Sequence, residues 1–185
     1  MLTLHFDYPS PASAVAVLRI QRLADAGHDV RFVGLDSLGL NVSVPTTLAQ
    51  LDELDRYHDR AVELGLPMRR PSRYPPTLAA HLIGNVADQL GRGASWRGEC
   101  LLAYWKDDRD LGDEELLLGL AVRAGLEVPA VQAALDDREL RQALRGRMTA
   151  RRRNGIGGVP VLEAGGGVYV SADVPDEDLE HLAAL

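Results

Sequence analysis

The residues best placed to do chemistry are two serines beside a proline. Ser10-Pro11-Ala12-Ser13 follows a short apolar stretch and precedes a long apolar run, so it falls where a strand gives way to a helix. A helix N-terminus presents unpaired backbone N–H groups and the positive end of its dipole. An oxygen or sulfur anion is stabilised there, and the hydroxyl of Ser10 or Ser13 adds a hydrogen-bond donor. Taken alone, Ser10 reads first as an ordinary N-cap, with Pro11 at the first helical position. The second candidate is Val159-Pro160 at the start of a strand. Proline is tolerated at a strand's first residue. It also fits as a cis bond in a tight turn, which exposes the preceding residue's backbone to a ligand. Both readings stay open from these residues alone.

The surrounding pattern says what must position these groups. Leu2, Leu4 and Phe6 alternate with Thr3 and His5, which predicts a strand with one apolar face. The run from Ala12 to Ala26 predicts a buried helix closed by Gly27. Val30 to Val33 reads as a second strand, and the strand–helix–strand order predicts a parallel, right-handed pair. From Thr46 to about Thr149 the period is helical, with almost no strand signal. Leu48 to Leu64 marks one helix, followed by a proline-rich loop from Pro67 to Pro76. Further helices carry Leu78 to Leu90, Trp96 to Tyr104, Glu114 to Ala124, a short one opened by Pro129, and one capped by Asp137. The end returns to β: Gly158 to Glu163, a tight hairpin at Gly165-Gly166-Gly167, and Val168-Tyr169-Val170. A last helix starts near Asp173 or Pro175. The expected fold class is α/β, a four-stranded sheet (β-α-β … β-β-α) over residues 1–45 and 150–185, split by an all-helical insertion over 46–149.

In that order the chain resembles the thioredoxin fold with a DsbA-type helical insertion. It is most similar to the 2-hydroxychromene-2-carboxylate isomerases and the kappa-class glutathione transferases. The resemblance rests on Phe6-Asp7-Tyr8-Pro9-Ser10-Pro11-Ala12-Ser13, on Gly65-Leu66-Pro67 leading to Tyr74-Pro75-Pro76-Thr77, and on Ala103-Tyr104-Trp105 with Arg109-Asp110-Leu111-Gly112-Asp113. Gly158-Val159-Pro160 and Ser171-Ala172-Asp173 complete it, so that it spans nearly the whole chain. It implies that Ser10, with Ser13 beside it, polarises the thiolate of a bound low-molecular-weight thiol such as glutathione. Val159, before a cis Pro160, would pair with the thiol's backbone, while Asp173 and Ser171 hold its γ-glutamyl end. Lowering a thiol's pKa raises its nucleophilic fraction near neutral pH. The implied activity is isomerisation of, or transfer to, a small aromatic electrophile, with Tyr74, Tyr104 and Trp105 of the insertion as its pocket. The chain departs from the pattern after the second strand: residues 34–50 hold no lysine, and Asn41 is the stand-in for the family's asparagine. Ala12 and Gly157 stand where the family carries aromatic residues. The rival expectation is a DsbA-like fold without Cys-x-x-Cys, kept as a redox-inactive module that binds a peptide or ligand.

Composition bounds these readings. The chain has 185 residues, a net charge of −7 and one cysteine. One cysteine cannot form an intrachain disulfide or a four-thiolate zinc site, and it leaves a mixed disulfide without a resolving partner. Five histidines show no ligand spacing, so no metal is expected. An acidic chain without a long apolar run predicts no nucleic-acid partner and no membrane span. The start lacks a signal-peptide pattern, which predicts a cytoplasmic protein, and the resemblance implies a small-molecule substrate. The resemblance also admits a homodimer. Cys100 reads as a buried, inert thiol. Arg151-Arg152-Arg153, following Arg138, Arg141, Arg145 and Arg147, reads first as a solvated helix face, with a substrate-carboxylate or partner-docking role as the alternative.

Overall fold

The computed structural model describes residues 1–164, 168–171 and 173–184, with 168–170 described by backbone alone. The Gly165-Gly166-Gly167 turn and Ala172 lie outside the described residues. The sheet has the order β2-β1-β5-β6. Strand β1 (Leu2–Phe6) pairs parallel with β2 (Val30–Gly34) and antiparallel with β5 (Val161–Ala164), which pairs antiparallel with β6 (Val168–Ser171). Being central, β1 buries all five residues, Thr3 and His5 included. The sequence leaves that point open: alternation shows which face is apolar, not whether the other face is covered.

Helix α1 (Pro11–Asp25) returns the chain from β1 to β2 and packs on both. Ser10 is its N-cap, Pro11 its first residue, and Gly27 turns out of it at a φ of +94°. The next strand, β3 (Val44–Pro45), pairs with β4 (Arg73–Tyr74), so the middle segment holds one short strand within the expected proline-rich loop. Two residues are too few to leave a period in the sequence. Helix α2 (Leu48–Glu63) carries a full capping box between Thr47 and Gln50. It packs on α1 and so ties the insertion to the sheet layer. Helices α3 (Leu78–Gln89), α4 (Gly93–Leu101), α5 (Glu114–Arg123), α6 (Val128–Asp136) and α7 (Arg138–Arg153) form the rest of the helical layer. Asp113 and Asp137 cap α5 and α7 through their carboxylates. The final helix, α8 (Asp176–Ala183), packs on α1.

One apolar core runs from Leu4 and Ile20 in the sheet layer to Leu117 and Leu135 in the helical layer. Helix α7 crosses the expected boundary at residue 149 without a break. The chain beyond α4 widens into a π-helical turn over Leu102–Lys106. There Ala103, Tyr104 and Trp105 are all buried, three consecutive residues where an ordinary helical face would hide one or two. Burying large side chains such as these two aromatics contributes about 1.5–3 kcal/mol each.

Candidate functional site at the N-terminus of α1

The C-terminal ends of β1 and β2, the start of β5 and the end of β6 all meet at one edge of the sheet. The β1–β5 register pairs His5 with Val161. Continued by two residues, it sets Val159 opposite Asp7, three residues before Ser10. Val161 in turn pairs with Ser171. Ser10, Val159, Pro160, Ser171 and Asp173 therefore gather at the same end of the sheet, although Ser10 lies far from the other four in sequence. The Val159–Pro160 peptide is cis.

At the α1 terminus, Ser10 Oγ accepts from Ser13 N–H at 3.1 Å, and Ser10 O accepts from Ala14 N–H at 2.9 Å. Pro11 has no amide hydrogen. The Ala12 N–H is therefore the first-turn donor for which no described residue supplies an acceptor. Ser10 uses its oxygen as an acceptor, and its own hydroxyl hydrogen remains available to donate. Ser13 has a different task. It is fully buried, and its Oγ accepts from Asp7 N–H at 3.3 Å, which holds the turn between β1 and α1. Ser13 is thus a positioning residue.

Beneath this turn lies a carboxylate to which the sequence pattern assigns no role. Asp7 is fully buried. Its Oδ1 accepts from Tyr8 N–H at 3.0 Å, from the Thr77 hydroxyl at 2.6 Å and from His81 Nε2 at 3.0 Å. Its Oδ2 accepts from Ser37 N–H at 2.7 Å. Four donors on one carboxylate satisfy a charge that would otherwise be very costly to bury. The network joins β1, the loop after β2 and the start of α3. His81 stacks on Tyr8 with ring centroids 4.9 Å apart. Gly34 is required beside it, because a Cβ there would collide with the His81 ring. Asp36 sits close by, and burial raises its pKa above the usual carboxylate range; Gly39 N–H opposes that shift and the Asp7 charge reinforces it. The sequence signal for Asp7 is a carboxylate directly after an apolar strand. Thr77 and His81 leave no comparable signal, since their partner lies 70 and 74 residues away.

The aromatic residues expected to line an electrophile pocket are engaged inside the protein. Trp105 Nε1–H donates to Tyr8 O at 3.0 Å, bracing the turn before Ser10. The Tyr104 hydroxyl donates to Arg73 O at 3.0 Å, and its ring meets Trp105 edge-on. Tyr74 is buried near Ser37 and Asp7; burial, with the Asp7 charge next, pushes its pKa up. Asn41 is exposed and accepts from Arg145 of α7 at 2.7 Å, and no described hydrogen bond links it to Ser10. Asp173 Oδ2 accepts from the Tyr57 hydroxyl at 3.3 Å, and Asp173 N–H donates to Ser171 Oγ at 3.1 Å. Its carboxylate is exposed and close to α2. Cys100 is fully buried, and burial pushes its thiol pKa well up, so it stays protonated and inert. Among the described residues no cluster of histidine, cysteine and acidic groups could hold a metal ion, and no helix is long and apolar enough to cross a membrane.

A four-stranded sheet of this order, with a helical layer inserted between its halves and a serine at the first helix cap, defines a thioredoxin-type domain. The chain belongs to the DSBA-like thioredoxin domain family, whose profile matches residues 1–183. Among solved structures, it is similar to a probable DsbA oxidoreductase from Streptomyces coelicolor, with a TM-score of 0.83 and 21% identity over 99% of this chain and 88% of that one. It is also similar to a 2-hydroxychromene-2-carboxylate isomerase, with a TM-score of 0.76 and 19% identity over 99% and 92% of the two chains. The cytosolic disulfide reductase DsbM from Pseudomonas aeruginosa, solved with GSH, matches with a TM-score of 0.73 and 20% identity over 100% and 99%. No curated protein sequence matches the chain.

Proposed function

We propose that this protein is a thiol-dependent isomerase or transferase. It would hold a glutathione-like thiol at the α1 terminus and present it to a small aromatic electrophile. The observation that carries this reading is the state of Ser10. Its acceptor lone pair is used by Ser13 N–H, while its hydroxyl hydrogen and the Ala12 N–H stay available at the positive end of a helix. Two donors and a dipole suit a thiolate, and with no Cys-x-x-Cys in the chain they suit one brought by a ligand. When bound, the thiol supplies the nucleophile. Ser10 and Ala12 would stabilise its charge, Val159 would pair with its backbone, and Ser171 and Asp173 would receive its ammonium-bearing end. The likeness to an isomerase and to a reductase solved with GSH supports the same class of chemistry. A cytoplasmic location is consistent with this use of a thiol.

The test is a titration of the protein with glutathione, read by thermal shift and by thiolate absorbance in the ultraviolet. Wild type is expected to give a saturable shift and a lowered thiol pKa. Ser10→Ala should reduce the thiolate fraction at neutral pH about tenfold or more, as the loss of a hydrogen bond of ~1.5–3 kcal/mol to a charged group implies. Unchanged thiolate absorbance in that variant would remove Ser10 from the mechanism. One observation favours the rival reading, a redox-inactive binding module: Tyr104 and Trp105 are spent on internal hydrogen bonds rather than on an open pocket. That reading expects no response to any thiol.

A further inference from the structure

The far edge of the sheet, away from β5 and β6, is the free side of β2. Leu2 N–H donates to Asp29 O and Leu35 N–H donates to Phe6 O, with Leu2 in register with Val30 and Phe6 with Gly34. In a parallel pair of that register, Arg31 and Val33 turn their N–H and C=O groups toward β1, and Val30, Phe32 and Gly34 turn theirs away. No described residue pairs with those outward groups. They face an open groove of about 740 Å³ between β2, α3 and α7, within the roughly 300–1,000 Å³ of ligand-sized clefts. The opposite wall is one stripe of α7: Leu140, Leu144, Arg147 and Arg151.

The charge of the groove is one-sided. Arg31 and Arg147 are exposed and Arg151 is half-buried, and no described acid pairs with any of the three. Burial and the two neighbouring guanidinium groups hold Arg151 below the usual arginine range, with only a smaller opposing pull from Glu163, which is bonded to His5. A fourth arginine, Arg97, is more than nine-tenths buried, lies over the Phe32 ring at 3.7 Å and leaves its Nε without an acceptor. Asp88, the one acid lining the groove among the described residues, is already paired with Arg97 at 2.7 Å. Blunting an open edge against aggregation needs a charge on the strand itself, and Arg31 supplies it. That role leaves the α7 arginines and the 43%-exposed Leu140 unexplained.

We infer that the β2 edge receives an extended acidic segment of a partner protein as an added strand. The segment's backbone pairs with Val30, Phe32 and Gly34. Its carboxylates meet Arg31, Arg147 and Arg151, and its alternate apolar side chains meet Phe32, Leu140 and Leu144. Backbone pairing supplies affinity and the flanking side chains supply selectivity. On a chain of net charge −7, this local reversal of field is what lets an acidic partner approach. Nothing in this pairing requires a thiol at Ser10.

Fluorescence polarisation on the full chain tests it. The probe is a fluorescein-labelled, capped five-residue peptide alternating valine and glutamate, compared with the same peptide carrying lysine for glutamate. The glutamate peptide is expected to bind saturably, and the lysine peptide at least about tenfold more weakly. N-methylating the peptide at one alternate set of residues should abolish binding, and at the other set should leave it intact, because only one set faces β2. The double variant Arg147→Gln/Arg151→Gln should weaken the glutamate peptide about tenfold or more. Ser10→Ala should bind it as wild type does, which separates this site from the thiol site. Equal binding of the glutamate and lysine peptides overturns the inference. So does full binding by both N-methylated forms, which would mark a simple anion site, and so does no binding at millimolar peptide. The peptide arms need no protein variant, so they stay decisive even if the double variant folds poorly.

Discussion

Two regions flanking the end of β1 treat their polar groups in opposite ways. The turn from Asp7 to Ser13 is closed: the Asp7 carboxylate has four donors, Ser13 Oγ holds the Asp7 amide, and Trp105 holds the Tyr8 carbonyl. The β2 edge is open: three residues turn unpaired backbone outward, and Arg31, Arg147 and Arg151 lack acidic partners among the described residues. His81 belongs to both, bonded to Asp7 on one side and lining the groove on the other. A closed network holds its geometry before any ligand arrives, so the groups left over in it, the Ser10 hydroxyl and the Ala12 N–H, are held in place. An open edge has its partners still to come. Preorganisation at one place and unsatisfied capacity at the other are two distinct signs of function.

The comparison is broken most directly at Asp7. Asp7→Ala strands the donors of Tyr8, Ser37, Thr77 and His81 in the interior, and should cost about 3–5 kcal/mol in urea unfolding. A loss under about 1 kcal/mol, the worth of a single ordinary hydrogen bond, would mean that the turn is not held by this carboxylate.

A smaller effect is expected from pH, through His5. It is buried beside Glu163, and burial lowers its pKa despite the hydrogen bond from Nε2 to Glu163 that opposes the shift. The unfolded chain takes up the proton first, near pH 6.5. His5 therefore leaves stability intact above that pH and takes it away as the pH falls through about 6.5 toward the folded value. Unfolding midpoints of wild type and His5→Gln, compared at about pH 7.5 and about pH 5.5 on either side of that value, should show the variant losing less on acidification; parallel losses would exclude the assignment.

The smallest effect is expected in the groove. Arg147→Gln/Arg151→Gln removes like charges that repel one another and should change stability by no more than about 0.5 kcal/mol in either direction. A large loss would show those arginines to be structural, and would erase the contrast with Asp7.

Much of the fold is legible in the sequence because its signals are local. Ser10 and Pro11 mark the start of α1, Asp113 and Asp137 mark α5 and α7, and Gly27 and Gly65 close their helices through a left-handed turn. The order of strands and helices, together with the motif set from Phe6-Asp7-Tyr8 to Gly158-Val159-Pro160, is enough to recognise the thioredoxin-type class. The candidate site is only half legible. Ser10 and Val159 stand out because each sits at an element boundary with its own sequence mark. Tyr104 and Trp105 read as pocket residues, but aromatic side chains beside a loop look the same whether they line a pocket or brace a core. Arg151 reads first as solvated, because a helix pattern does not say what stands opposite.

The sequence by itself determined the elements, their order and the anion-favouring end of α1, since caps, periods and breakers act over a few residues. Only the tertiary structure decided that β1 is buried on both faces, that Thr77 and His81 at the start of α3 converge on Asp7, and that the α7 arginines face the open edge of β2. Those facts depend on which surfaces meet, and hydrogen-bond saturation and burial are properties of the meeting surfaces rather than of any one segment.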